Sequence, residues 1–87
     1  GKEELEELRS RLYLLVDSLP GKCREIFLLA CVEGLKYREV AERLDVSVNT
    51  VKTQVKVAYQ RLRSELNDRD RNRLIYLLLL NLFPWDK

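Results

Sequence analysis

Between Asn49 and Arg63 the chain spaces Asn49, Lys52, Thr53, Lys56 and Val57 as neighbours on one side of a helix. On a wheel of about 3.6 residues per turn, Asn49, Thr53, Lys56, Val57 and Gln60 stand opposite an apolar stripe. That stripe is Val48, Val51, Val55, Ala58, Tyr59 and Leu62. Lys52 and Arg63 fall on one shoulder, Thr50 and Arg61 on the other. These residue types suit the edges of bases in a major groove. An asparagine amide can pair with adenine N6 and N7, and a lysine can donate to guanine O6 and N7. Threonine serves as donor or acceptor, and an outward valine can rest on a thymine methyl. Gln60 alone reads as ordinary solvent exposure. As a set, the face reads as one built for base contact.

Such a face needs a rigid mount, and the preceding residues supply one. Ser47 has the chemistry to cap a helix, its hydroxyl accepting from a backbone N–H near Asn49 or Thr50. Before it lie the turn Asp45-Val46-Ser47 and a short helix over Tyr37–Leu44, with Val40, Ala41 and Leu44 inward. Two helices joined by so short a turn, the second capped and basic, make a helix-turn-helix. Upstream, a helix over Pro20–Glu33 turns Ile26, Phe27, Ala30 and Cys31 toward a core. Gly34, followed by apolar Leu35, matches a Schellman stop. The first helix spans Glu3–Asp17, with Leu5, Leu8, Leu12, Leu15 and Leu19 at three- and four-residue steps. Glu3, Glu4, Glu6 and Glu7 crowd its start, where the helix dipole favours negative charge. Pro20 then blocks its continuation.

After Leu66 the pattern changes. Asn67–Arg73 carries no apolar residue, whereas Leu74–Leu82 is apolar on almost every side. Asp68 is read as the cap of a fifth helix and Pro84 as its end. The expected architecture is all-α: a four-helix domain over 1–66, of the winged-helix-like class without a wing, and an apolar helical tail over 67–87. The tail is expected to cover the first helix with one face. Its other face is left for a partner or a second copy of the chain. Its run is too short to span a bilayer, which takes about 20 apolar residues, so no stable membrane insertion is expected.

Composition narrows the function classes. Apolar residues make up 46% of 87, enough for one modest core. The net charge of +2 says little, but its distribution is uneven. Lys2–Leu19 holds three basic and five acidic residues, whereas Lys36–Arg63 holds seven basic and three acidic, a local net of +4. Positive charge gathered on the helix-turn-helix is the footprint of a phosphate partner. Lys36, Arg38, Thr50, Arg61 and Arg63 are the residues expected to meet phosphates. Without histidine, a glycine-rich phosphate loop or paired carboxylates, nothing favours an enzyme or calls for a cofactor. Cys23 and Cys31 lack the spacing and companions of a zinc site and read as buried free thiols. They and the lack of a recognisable signal peptide fit a cytoplasmic location.

Several linked strings carry a family resemblance. They are Leu19-Pro20-x-x-x-Arg24-x-x-Phe27, Glu33-Gly34-Leu35-x-Tyr37-x-Glu39-Val40-Ala41, Leu44-x-Val46-Ser47-x-x-Thr50-Val51-Lys52 and Ala58-x-x-x-Leu62-Arg63. Over about Ser18 to Arg63 the chain resembles region 4 of bacterial sigma factors, nearest to the extracytoplasmic-function group of the sigma-70 family. The resemblance implies a helical domain that reads the −35 promoter element with its last helix and directs transcription initiation. It also implies docking on the β flap of RNA polymerase and occlusion by an anti-sigma factor. By position, the family's contacts fall on Lys52, Thr53, Lys56 and Val57. Region 2, which opens the −10 element, has no counterpart in these residues, so this chain alone is not expected to start transcription.

Three positions depart from the family pattern. Asp45 stands where glycine is frequent, Lys36 where serine or threonine caps the third helix, and Val57 where a polar or basic residue is common. Two other readings share some features. One is the effector domain of a response regulator, which lacks the Leu-Pro start and the Ala-x-x-x-Leu-Arg ending. The other is a protein-interaction module whose helix-turn-helix is vestigial.

Overall fold

A computed structural model describes residues 1–79 in backbone and 1–73 in side chain. The side chains of Leu74–Trp85, to which the apolar-tail reading applies, lie outside these residues, as does the proposed stop at Pro84. The described residues form helices α1 (Lys2–Asp17), α2 (Gly21–Phe27), α3 (Tyr37–Leu44), α4 (Val48–Ser64) and α5 (Asp68–Leu79). No helix among them is long and apolar enough to cross a membrane.

The α1 stripe forms as spaced, with Leu8, Leu12 and Leu19 buried and Val16 joining them. Leu5, at its first turn, is 41% exposed. Much of the cover for this stripe comes from Cys23, Phe27, Val32, Ala58, Leu62 and Leu66, in one cluster with it. Whether the tail shares in this cover falls on side chains outside the described residues. A second cluster, of Ile26, Val40, Ala41 and Val51, is the core of the helix-turn-helix itself.

The α2 helix does not run regularly to Glu33. Its last turn, Leu28–Val32, is a π turn, closed by Glu33 N–H donating to Leu28 O at 2.9 Å. The extra residue shifts the register. Val32, five after Phe27, continues the buried face, and Cys31 and Ala30 pack against the core as expected but are only half-buried. The same widening lengthens the stop: Leu35 N–H reaches back to Leu29 O at 3.0 Å, one residue further than a Schellman bond. Gly34 takes the left-handed φ of 78° that this closure needs.

The α3 helix ends in an unmodified Schellman motif. Val46 N–H bonds to Ala41 O at 3.0 Å and Asp45 N–H to Glu42 O at 3.4 Å. Asp45 sits at φ 55°, ψ 50°, a conformation that aspartate tolerates better than most residues. Asp thus fills the glycine position without breaking the turn.

The cap of α5 is Asn67, not Asp68. Its Oδ1 accepts from Asp70 N–H at 2.8 Å, and its carbonyl takes the first helical bond, from Arg71 N–H at 2.9 Å. Asp68 is one residue too late to cap and instead places negative charge at the positive end of the helix. Ion pairs tie α5 to α1. Arg11 bonds to the buried carboxylate of Asp70 at 2.8 Å, while Glu4 receives Arg69 and Arg73. Glu4 is held down to about 2, first by the chain's amino terminus and then by these two arginines. Its folded value lies below the ordinary 4.5, so its contribution is present above 4.5 and fades as pH falls toward 2.

The two ties should differ in weight. Arg11→Ala is expected to cost about 1–2 kcal/mol, because it strands a carboxylate only 8% exposed. Glu4→Gln, which breaks pairs in open water, should leave the melting point almost unchanged. Paired thermal melts decide it, and equal shifts would mean that Asp70 is not shielded from water.

Candidate nucleic-acid interface

Ser47 fixes the start of α4. Its Oγ accepts from Thr50 N–H at 3.0 Å, and its hydroxyl donates to Thr50 Oγ1 at 2.9 Å. That bond occupies an acceptor site on Thr50 and leaves the threonine proton free to be donated outward. From this fixed start α4 runs for 17 residues, held down by Val51, Ala58 and Leu62, all buried. Val55 and Tyr59 are half-buried beside them, and Val48, at 38% exposure, lies outside the core.

The opposite face is open. Asn49, Lys52, Thr53, Lys56, Gln60, Arg61 and Arg63 are exposed, and Thr50 is half-buried. Val57 departs from expectation, since it is half-buried and packs against the cluster of α1 and α2. At about 80° from Asn49 on the wheel it belongs to the Thr50–Arg61 flank, and that flank leans on the core. Lys36 and Arg38 are exposed at the start of α3. Tyr37 between them reaches α4, sharing with Lys52, Val55, Lys56 and Tyr59 a hollow of about 370 Å³ floored by Phe27 and Cys31. The structure thus brings the basic start of α3 beside the middle of α4.

The ion pairs are unevenly placed along the chain. Among the described residues, every ion pair involves the amino terminus, α1 or α5. Lys36, Arg38, Lys52, Lys56, Arg61 and Arg63 enter none of them. Cations that are exposed and unpaired have no internal use for their charge, and they suit phosphates. Arg63 lies 5.6 Å from the centre of the Tyr59 ring, a cation–π contact that steadies it. Helical i, i+4 spacing carried the signal for that pair.

Lys36 offers no acceptor to the N-terminus of α3, but half of a capping box survives. Glu39 Oε1 accepts from Lys36 N–H at 3.0 Å. Lys36→Ser adds the missing half and should stabilise the domain by about 1 kcal/mol, read from thermal melts. The same change removes a cation and should weaken duplex binding. A melting point that stays put or falls would rule out the capping argument.

Cys23 and Cys31 are free thiols. Burial pushes both upward, Cys31 to about 11, so they stay protonated at neutral pH. Cys23 Sγ donates to Gln54 O at 3.5 Å, joining α2 to α4. Among the described residues, no group of three or more His, Cys, Asp or Glu is placed to hold a metal ion.

Comparison with known proteins agrees with this geometry. The family model for sigma-70, region 4 matches residues 9–62, from the middle of α1 through most of α4. The ferric citrate uptake sigma factor FecI of Escherichia coli (strain K12) is 44% identical over 61 residues, covering 67% of this chain and 35% of that protein. The chain therefore spans about a third of the length of the curated relative it matches. No solved structure matches. With its unpaired basic face on a capped fourth helix, this chain belongs to the sigma-70 region 4 family, a DNA-binding domain of sigma factors, as its resemblance to the extracytoplasmic-function group implied.

Proposed function

We propose that the chain reads the −35 element of a promoter as the C-terminal module of an RNA polymerase sigma factor. The observation that carries this reading is the open face of α4 with its unpaired cations. In this reading α4 enters the major groove. Asn49, Lys52, Thr53 and Lys56 meet base edges, while Lys36, Arg38, Thr50, Arg61 and Arg63 meet the two phosphate walls. Val57, half-buried, offers only part of its surface to a thymine methyl. Family membership favours this reading over a response-regulator effector domain. It equally favours RNA polymerase, through the β flap, as the protein partner. An anti-sigma factor is a further partner of the same reading.

Selecting bound duplexes from a random pool tests it. A short conserved motif is the expected product, with affinity falling as salt rises by about 0.9 in log–log slope per phosphate contacted. Recovery of no motif, or affinity flat from low to physiological salt, would overturn the reading.

A further inference from the structure

We propose that α5 adds Arg71 to the DNA-binding surface, where it forms with Arg63 a two-guanidinium clamp for one backbone phosphate at the C-terminal end of α4. The inference rests on the reading above and extends it to a helix outside the family match, which stops at residue 62.

The α5 arginines divide by face. Arg69 and Arg73, four apart, both turn to Glu4 on α1. Arg71, between them, lies about 200° around the helix and turns to α4. Its Nε donates to the Arg63 carbonyl at 2.9 Å. There it lines an open hollow with Gln60, Arg63 and Ser64. Gln60 is on the exposed face of α4, so the hollow opens at the end of the same face that carries Asn49, Thr53 and Lys56.

Both guanidiniums are held by contacts that leave donors unused. Arg63 rests over the Tyr59 ring and is itself exposed. Arg71 spends Nε on the carbonyl and meets Asp68 through Nη1 at 3.1 Å, an acid whose side chain is 97% exposed. A guanidinium has five N–H donors, arranged to receive two oxygens of one phosphate. Two like charges held beside one hollow repel each other, and a phosphodiester between them relieves the repulsion. A helix lying in the major groove has a phosphate wall on either side, so the far end of α4 is placed to meet one.

The test measures duplex affinity against salt, using the selected motif, for the unaltered 87-residue chain and four variants. Arg71→Gln should lower the log–log slope by about 0.9, one phosphate, without changing the motif. Arg71→Lys should retain the slope. Asp68→Asn, which removes the competing carboxylate, should tighten binding at low salt. If Arg71 serves only to cap the C-terminus of α4, Arg71→Gln will lower the melting point and leave the slope intact. That result, with Lys56→Ala still weakening binding, overturns the clamp alone. Absence of motif binding by the unaltered chain overturns the promoter reading and the clamp together.

Discussion

Phe27→Ala is expected to lower stability by about 3–5 kcal/mol, the range for emptying a buried aromatic site. A domain of this size holds only about 4–13 kcal/mol in total, at about 0.05–0.15 kcal/mol per residue. The loss therefore consumes a large part of the margin. Phe27 is fully buried, in one cluster with Leu8 and Leu12 from α1 and Ala58 and Leu62 from α4. It also floors the hollow beside Lys52 and Lys56. Neighbours on two other helices cannot all collapse into one vacated space, so the cavity term should be near the top of its range. Leu14→Ala is the control. That leucine is 71% exposed, and its loss should move stability by under about 0.5 kcal/mol. Urea melts of both variants provide the comparison. A Phe27→Ala cost below about 1.5 kcal/mol would mean that α2 is not clamped between α1 and α4.

The parts of the fold legible in the sequence are those set by local rules. Ser47 caps α4 because its hydroxyl meets Thr50 N–H, a bond that residue type and spacing alone foretell. The α3 helix runs over Tyr37–Leu44 as read, since apolar periodicity and the left-handed turn at Asp45 bound it on local grounds. The π turn at Leu28–Val32 was not legible. From Ile26 to Val32 the chain is apolar at every position, so periodicity marks no inward face there. Which residues turn in is settled by packing, and packing selected Val32 over Cys31. The α5 cap was misplaced by one residue because Asn67 and Asp68 are both good caps, and the tie is broken by the turn leaving α4.

The candidate site divides the same way. Exposure of Asn49, Lys52, Thr53 and Lys56 followed from a wheel, which needs only the stripe opposite them. Val57 did not, because a wheel shows what lies opposite the stripe but not how far the core wraps around a flank. Arg71 lies beyond sequence reasoning for another reason. Its contact with the Arg63 carbonyl depends on how α5 folds back after α4, and the intervening residues carry no periodic signal of that angle.

Thr53→Ala and Lys56→Ala should each relax the selected motif at particular base pairs, by about 1–3 kcal/mol per well-made contact. That is roughly a tenfold loss of discrimination for each 1.4 kcal/mol. Both side chains are exposed, and neither has a hydrogen-bond or ion-pair partner among the described residues. Removing them breaks nothing inside the domain. Alanine is also the better helix former, by up to about 0.7 kcal/mol, so lost folding cannot mimic lost reading. Arg38→Ala and Arg61→Ala supply the contrast. Those cations are exposed at the start of α3 and on the flank of α4, and under the proposed reading they meet phosphates and not bases, so their loss should weaken all sequences alike. Motif selection repeated on the four variants separates the two behaviours. Relaxed positions with Thr53→Ala and Lys56→Ala, against an intact motif with the arginine variants, fix the face of α4 that enters the groove. If all four variants return the parent motif, base reading belongs to a different face, and the rotation assigned to α4 against the duplex is wrong.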